Sequence, residues 1–308
     1  MLRLGELVAF PTETVYGLGA NGLDGMAAKK IYLAKGRPRD NPLILHVASL
    51  EQFYALARDL SDSALILAKK FWPGPMTLVV YKDKSIPNDV TAGLETVAVR
   101  YPANKDAQDL ILAAEVPIAA PSANLSGSPS PTNAQDVLED MDGRIAAILD
   151  GGSCSVGVES TIIDTTTNPV TILRPGGITP EMIRDLLGAV QFDSALQGVE
   201  VAVPKAPGMK YRHYAPKAKV VLCKTLQEVR SMARQELSAG KKIGTIACEA
   251  VGGCESRVYQ GTRDLAENLF TFLRDLDRVQ VDLILAQIVK EDGIGLAVMN
   301  RLRKAAGA

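Results

Sequence analysis

Three cations lie close together in residues 35 to 43 (KGRPRDNPL), between a predicted helix and a predicted strand. Lys35, Arg37 and Arg39 flank a glycine and a proline. A lysine is a compact charge and an arginine is a planar fork of donors, and this combination suits the oxygens of a triphosphate. An exposed basic loop has the same composition, so this segment alone leaves both interpretations open.

A second polar segment, residues 10 to 19 (FPTETVYGLG), leaves a predicted buried strand and enters a turn rich in hydroxyls and glycines. Its backbone N–H groups and the Thr14 hydroxyl are placed to bind a small polar ligand. A strand-to-helix turn capped by its threonines explains the same residues equally well.

Other polar residues also follow predicted strands, where open α/β sheets bind their ligands. Arg100 ends an apolar strand and needs an anion, either a substrate carboxylate or an internal acid. Ser122 and Asn124 follow another strand and suit phosphate or ribose oxygens. Arg174 precedes a glycine turn. His46 lies within an apolar strand, as a core residue or as a pocket residue facing a carboxylate or hydroxyl.

These residues do not form a nucleophilic catalytic set. Only His46 and His213 are available, so neither a Ser-His-Asp nor a Cys-His arrangement can be assembled. The acids nearest the polar segments, Glu13, Glu159 and Asp164, form no evident pair. The residues instead offer charge neutralisation and positioning, as nucleotidyl or phosphoryl transfer requires, with Mg²⁺ bound mainly through the substrate. A substrate would then supply the nucleophile.

Composition excludes several classes of protein. The 308 residues are 47% hydrophobic and 22% charged with a net charge of −1, so the chain is globular and has no global positive field for nucleic acid or lipid. Apolar runs such as Val281 to Ala286 fall far short of the roughly 20 residues that cross a bilayer. The start resembles no secretion signal, so we expect a cytoplasmic protein without membrane partners. Four cysteines without a C-x-x-C pair predict neither a zinc site nor disulfides, and no metal ligand set.

Strand-like and helical segments alternate up to about residue 190, which predicts an α/β fold with a large mixed twisted sheet and flanking helices. The predicted strands cover residues 7–10, 43–47, 76–81, 96–101, 118–120, 146–149, 160–164 and 170–174. The predicted helices cover residues 26–34, 50–71, 106–115, 134–141 and 180–187.

A basic, proline-containing segment follows (residues 204 to 219, PKAPGMKYRHYAPKAK). Its tyrosines and methionine among cations suit contact with a phosphate-bearing ligand, although a basic solvated tether remains an alternative. Beyond it, the order β-α-β-α-β-α predicts a smaller Rossmann-like domain with a parallel sheet. The predicted organisation is therefore a catalytic domain at 1–203, a linker or lid at 204–218 and a C-terminal domain at 219–308.

Six ordered motifs closely resemble the threonylcarbamoyl-AMP synthase family, also called the YrdC-like family. They are FPTETVYGLG at 10–19, KGRP at 35–38, NPL at 41–43, PSAN at 121–124, ESTI at 159–162 and LRPG at 173–176. The linker segment PGMKYRHYAP and the domain after it are similar to the long form of that family. One departure is that the first strand begins a few residues after Met1, where members of the family first have a helix.

The resemblance implies the YrdC-like fold and condensation of L-threonine, bicarbonate and ATP into threonylcarbamoyl-AMP, with release of pyrophosphate. Mg²⁺ would accompany ATP, and the product would pass to a tRNA threonylcarbamoyl transferase, with tRNA a further candidate partner. By motif, L-threonine would be held by Thr14, His46, Arg100, Ala120 (through its backbone) and Ser160. The nucleotide would be held by Lys35, Arg37, Asn41, Thr96, Ser122, Asn124, Ser130, Arg174 and Tyr214, with Lys35 and Arg37 as the catalytic cations.

The sequence is compatible with two alternative functions. A non-catalytic module for double-stranded RNA or tRNA could use the same locally basic face, although neutral overall charge argues against strong phosphate-driven affinity. A related carbamoyl transferase of metallocentre maturation would carry zinc-finger segments, and no C-x-x-C is present.

Overall fold

The computed structural model describes residues 1–197, 204–207 and 213–307. The chain forms two compact units: the first contains Met1–Ser126 and Ser130–Tyr211, and the second contains Gly127–Pro129 and Arg212–Ala308. The predicted ligand contacts from Met209, Lys210, Tyr211 and Arg212 lie outside the described residues. No helix in the described ranges is long and apolar enough to span a membrane.

The first unit is built on an 11-stranded mixed sheet. Its strands are β1 (Val8–Phe10), β2 (Gly17–Asn21), β3 (Ile44–His46), β4 (Ala57–Arg58), β5 (Met76–Lys82), β6 (Thr96–Arg100), β7 (Ile118–Ala119), β8 (Ala147–Ile148), β9 (Thr161–Asp164), β10 (Thr171–Arg174) and β11 (Gln191–Phe192). The spatial order is β11-β10-β9-β5-β6-β3-β7-β2-β1-β8, with β4 paired to β5. Parallel pairs such as β3–β6 and β5–β9 alternate with antiparallel pairs such as β5–β6.

Helices flank this sheet. They are α1 (Gly25–Lys35), α2 (Leu50–Leu56), α3 (Asp62–Phe71), α4 (Asn88–Thr91), α5 (Lys105–Ala114), α6 (Ala134–Met141) and α7 (Pro180–Leu187), with short 3₁₀ helices at Leu2–Leu4 and Ser194–Gln197. Several begin at side-chain caps, for example Asp24 before α1 and Asn104 before α5. Their apolar faces pack on the central strands, where Phe53 meets Trp72 edge-to-face at 4.9 Å.

Two local predictions for the first unit are wrong. Residues 17 to 19, expected in a turn, belong to β2, which pairs antiparallel with β1. The glycines permit this close pairing, since a Cβ at Gly19 would lie 3.0 Å from the Phe10 ring. The predicted helix at 50–71 is two helices separated by β4, because Asp59 has a φ of 50° and Ser61 starts a new helix by capping α3.

The second unit contains a four-stranded parallel sheet of order β12-β15-β13-β14. Its elements are β12 (Lys219–Cys223), α8 (Leu226–Ser238), β13 (Ile243–Ala247), β14 (Glu255–Val258), α9 (Thr262–Arg278), β15 (Leu283–Gln287) and α10 (Gly295–Ala306). Sequence patterning missed β14, because this half-exposed edge strand has no apolar run. The α/β class, with a large mixed sheet and a second parallel sheet, is confirmed.

Candidate active site

Arg100, at the end of β6, is a deeply buried cation, only 4% exposed. Its Nη1 donates a hydrogen bond to Oγ1 of Thr14 at 2.8 Å. Its Nη2 lies 2.8 Å from Oε1 of Glu13, but the two groups are not aligned as a hydrogen bond. Nε and Nη2 therefore have no hydrogen-bond partner among the described residues, and together they form a fork that matches a carboxylate.

The turn between β1 and β2 is stabilised by Thr12. Its Oγ1 accepts the backbone N–H groups of Thr14 and Val15, both at 3.2 Å, and donates to the backbone oxygen of Val15 at 2.6 Å. Thr12 thus fixes the loop, while the Thr14 hydroxyl contacts Arg100. The turn leads into β2 and not into a helix, so the predicted helix cap is wrong, and the Thr14 hydroxyl stays a predicted ligand contact.

His46 is placed beside Arg100 by the parallel register of β3 and β6. Burial, reinforced by the Arg100 charge, lowers the pKa of His46 from 6.5 to about 3. Its Nδ1 lies 3.2 Å from the backbone oxygen of Ile44, and its ring meets Phe10 edge-to-face at 5.7 Å. His46 is therefore a neutral imidazole at physiological pH.

Ser160 lies just before β9 in a buried polar group. Its Oγ is 2.7 Å from Oγ1 of Thr77 and accepts a hydrogen bond from Nη2 of Arg174 at 3.2 Å. The backbone at Gly176 packs against the backbone of residues 159 to 161. A Cβ at Gly176 would lie only 2.4 Å from the Glu159 backbone oxygen, so this close approach requires glycine. Sequence reasoning missed Thr77, whose place in this polar group depends on its contact with Ser160 and not on a local pattern.

Two further predicted residues join this region through the sheet and its loops. The backbone N–H of Ala120 donates to the Ile44 oxygen at 2.9 Å, so a backbone contact from Ala120 to a ligand must use its carbonyl. Ser130 donates from Oγ to Oε1 of Glu159 at 2.7 Å. That bond places Ser130 beside the residue that precedes Ser160.

Lys35, the last residue of α1, organises the loop after β7. Its Nζ donates to the backbone oxygens of Ser122 and Asn124, each at 2.5 Å. The Ser122 hydroxyl donates to Oδ1 of Asn124 at 2.5 Å, and the backbone N–H of Ser126 donates to the backbone oxygen of Lys35 at 2.9 Å. The structure thus brings three predicted nucleotide-binding residues into one hydrogen-bonded group.

Arg37 and Asn41 form a second group before β3. Nη2 of Arg37 donates to the backbone oxygens of Asn41 and Pro42 at 3.3 and 3.2 Å. Oδ1 of Asn41 is buried and has no hydrogen-bond partner within the described ranges. Thr96 begins β6, about 13 Å from Arg100 at the other end of the strand.

The remaining predicted nucleotide residue, Tyr214, belongs to the second unit and is buried there. Its ring stacks on Phe270 at 5.2 Å, and the guanidinium of Arg301 lies 5.8 Å from its centroid. The three acids noted in the sequence have different partners. Glu13 contacts Arg100, and Glu159 contacts Ser130. Asp164 lies at the far end of β9 and pairs with Lys205 at 2.9 Å.

Family comparisons cover almost the whole chain. The Sua5/YciO/YrdC family model, described as "Telomere recombination", matches residues 1–176. The model described as "Threonylcarbamoyl-AMP synthase, C-terminal domain" matches residues 178–307.

Individual relatives match over most of their length. The chain is 52% identical to the threonylcarbamoyl-AMP synthase of Pyrococcus abyssi, covering 99% of this chain and 92% of that one. It is 46% identical to the threonylcarbamoyl-AMP synthase of Bacillus subtilis, covering 100% and 91%. The crystal structure of P. abyssi Sua5 complexed with L-threonine superimposes with a TM-score of 0.97, at 52% identity and coverage of 99% and 92%.

Proposed function

The chain belongs to the threonylcarbamoyl-AMP synthase family, and from this we propose that its first unit condenses L-threonine, bicarbonate and ATP into threonylcarbamoyl-AMP and pyrophosphate. The chain is thus an enzyme that transfers a nucleotidyl group. The site residues that we propose for this reaction are those implied by the motifs, supported by the contacts among the described residues.

The observation that carries the threonine assignment is the Arg100 guanidinium. It is buried, and its Nε and Nη2 lack hydrogen-bond partners in the part of the chain that the structure describes. A substrate carboxylate bound there would satisfy both donors. Thr14, already bonded to Arg100, and the neutral His46 beside it complete one wall of this site. Ser160 and the carbonyl of Ala120 contribute further polar contacts.

The nucleotide assignment rests on the two basic groups. Lys35 lies among the Ser122 and Asn124 backbone oxygens, and Arg37 is held by the carbonyls before β3. Such fixed cations stabilise negative charge without reorganising during the reaction. The resemblance further assigns Asn41, Thr96, Ser130 and Arg174, all in the first unit, to the rest of the nucleotide.

The chemistry requires two anions to approach each other. The threonine amine first combines with bicarbonate to form a carbamate and water. A carbamate oxygen then attacks the α-phosphate of ATP, and pyrophosphate leaves. Because both reactants are negatively charged, Lys35 and Arg37 accelerate the step by offsetting charge at the phosphates and by holding them in position.

Mg²⁺ is proposed to arrive with ATP. The described residues contain no group of three or more His, Cys, Asp or Glu side chains that could hold a metal. Glu13 and Glu159 instead contact Arg100 and Ser130. We therefore propose that triphosphate oxygens provide most of the Mg²⁺ ligands, and that the ion offsets phosphate charge as part of the bound substrate.

The product, a mixed anhydride of a carbamate and AMP, suits a downstream tRNA threonylcarbamoyl transferase, and we assign the protein to the cytoplasm on that basis. Direct tRNA binding is a further candidate interaction. The alternative of a non-catalytic RNA-binding module is not retained, because it gives no role to the buried Arg100 fork.

The test is pyrophosphate release from MgATP and bicarbonate, with and without L-threonine, together with mass spectrometry of the nucleotide product. We expect threonine-dependent release and an adenylate carrying the threonylcarbamoyl mass. A folded sample that releases no pyrophosphate under any combination would refute the proposed function.

A further inference from the structure

Glu13 is a buried acid in the turn between β1 and β2, and its side chain is 10% exposed. Both carboxylate oxygens lack a hydrogen-bond partner among the described residues, although one lies 2.8 Å from Nη2 of Arg100. Buried carboxylates in proteins normally accept hydrogen bonds. A donor supplied by a ligand would complete this site.

Two complementary groups therefore lie side by side. Nε and Nη2 of Arg100 can donate hydrogen bonds to a carboxylate, and the Glu13 carboxylate can accept hydrogen bonds from N–H groups. An α-amino acid carries both matching groups on one carbon, with the amine nitrogen about 2.5 Å from the carboxyl carbon. A ligand whose carboxylate binds Arg100 thus has its ammonium within reach of Glu13.

We propose that Glu13 binds the ammonium group of L-threonine and accepts the proton that this group must lose before it reacts. The inference rests on the proposed function. In the first step, the N–H bond breaks, its electron pair stays on nitrogen, and Glu13 becomes a neutral carboxylic acid. The amine and bicarbonate then form a carbamate and water, with the new bond between nitrogen and carbon. Glu13 returns its proton to solvent.

Charge balance favours this assignment. The pair Glu13–Arg100 is neutral overall, and so is zwitterionic threonine, so binding adds no net charge to a buried region. A carboxylate without the amine would leave one negative charge beside Glu13 without compensation. The pair consequently selects α-amino acids over simple hydroxy acids.

Neighbouring titratable groups are poor proton acceptors. His46 is a weak base because burial lowers its pKa to about 3. Cys154, which also lies near Glu13 and Arg100, keeps its proton because burial raises its pKa to about 12. Both carboxylate oxygens of Glu13, in contrast, lack a hydrogen-bond partner among the described residues and can accept an N–H from the ligand.

The experiment measures binding of two ligands by calorimetry: L-threonine, and 3-hydroxybutyrate, which keeps the carboxylate and hydroxyl but lacks the amine. Glu13→Gln is expected to weaken threonine binding about tenfold to a hundredfold. Binding of 3-hydroxybutyrate should stay equal or improve. Glu159→Gln, the matched control, removes another buried carboxylate from the same unit and should retain the preference for threonine.

Equal changes for both ligands in Glu13→Gln would overturn the proposal, because they would indicate a merely structural role. Glu13→Asp covers the case in which the glutamine variant does not fold: it should keep the preference for threonine while lowering kcat, and loss of that preference with unchanged kcat would contradict the assignment. If the wild type releases pyrophosphate in the presence of threonine and Glu13→Gln shows the same threonine binding and turnover, the role of Glu13 is refuted while the proposed reaction stands. Absence of release by wild type would refute the reaction instead.

Discussion

Arg174 donates two hydrogen bonds to Ser160, from Nε to the backbone oxygen at 3.1 Å and from Nη2 to Oγ at 3.2 Å. Both residues are buried. The resemblance assigns Arg174 to the nucleotide and Ser160 to threonine, so one guanidinium connects the two proposed subsites. This contact predicts that the subsites are energetically coupled.

Replacement of Arg174 by lysine should therefore affect both substrates. A lysine keeps the charge but cannot hold the Ser160 oxygen and hydroxyl with two directed donors. We expect KM for threonine and for ATP each to rise about tenfold. Steady-state kinetics with each substrate varied in turn measure both KM values. Ser160→Ala and the double variant complete a double-mutant cycle, and strictly additive effects on KM would show that the Arg174–Ser160 contact does not couple the subsites.

Arg100→Lys should weaken threonine binding while leaving nucleotide binding close to wild type. The lysine restores a positive charge beside Glu13 but loses the Nε–Nη2 fork. We expect a loss of about tenfold to a hundredfold in threonine affinity by calorimetry. ATP binding by the same variant serves as the control, and an equal loss there would point to general unfolding of the site.

Lys35→Ala and Arg37→Ala should each lower kcat about 100-fold to 1000-fold, because each removes a fixed cation from the reacting phosphates. Both variants should also be less stable. Lys35 donates to the backbone oxygens of Ser122 and Asn124, and Arg37 donates to those of Asn41 and Pro42, so each loss costs about 1–3 kcal/mol per oxygen left without a donor. Circular dichroism melting separates the effects, and wild-type turnover in either variant would refute the phosphate assignment.

The lowered pKa of the buried His46 side chain predicts that the native state loses stability in acid. Because burial holds the pKa of His46 at about 3 in the folded protein, below its ordinary 6.5, the unfolded chain binds this proton first as pH falls. The native state is fully stabilised above pH 6.5 and loses about 2 kcal/mol between pH 7 and pH 5 through this residue. Urea unfolding of wild type and His46→Gln at both pH values measures the difference; identical pH dependence would contradict it.

Ala206 anchors the start of the predicted linker. It is fully buried in an apolar cluster with Ile44, Val79, Ala98, Ile162 and Leu173. The next residue, Pro207, accepts a hydrogen bond from Nη1 of Arg174 at 3.4 Å.

Ala206→Asp should therefore release this segment, because an unpaired charge cannot remain in the cluster. We expect the threonine-dependent rate to fall about tenfold, as Arg174 loses the Pro207 contact. Ala206→Gly, which adds no charge, is the control and should stay near wild type in the pyrophosphate assay. Full activity of the aspartate variant would indicate that the segment is only a tether.

The sequence by itself determined the fold class, most strand and helix positions, and the family. Apolar runs such as Met76 to Tyr81 and Thr96 to Tyr101 have the period and length of buried strands, and both form strands in the structure. Motif residues such as Lys35, which lies between a helix and a glycine, could be identified as candidate site residues because the residues next to them in the sequence have an unusual composition.

Only the tertiary structure decided which of these residues meet. Arg100 reaches Thr14 and Glu13, and Lys35 reaches Ser122 and Asn124, across sequence separations that no local pattern encodes. Strand order in a mixed sheet depends on long-range pairing rather than on periodicity. For the same reason Thr77 could not be assigned from the sequence, and the unfilled hydrogen-bond positions of Glu13 and Arg100 became visible only once the chain was folded.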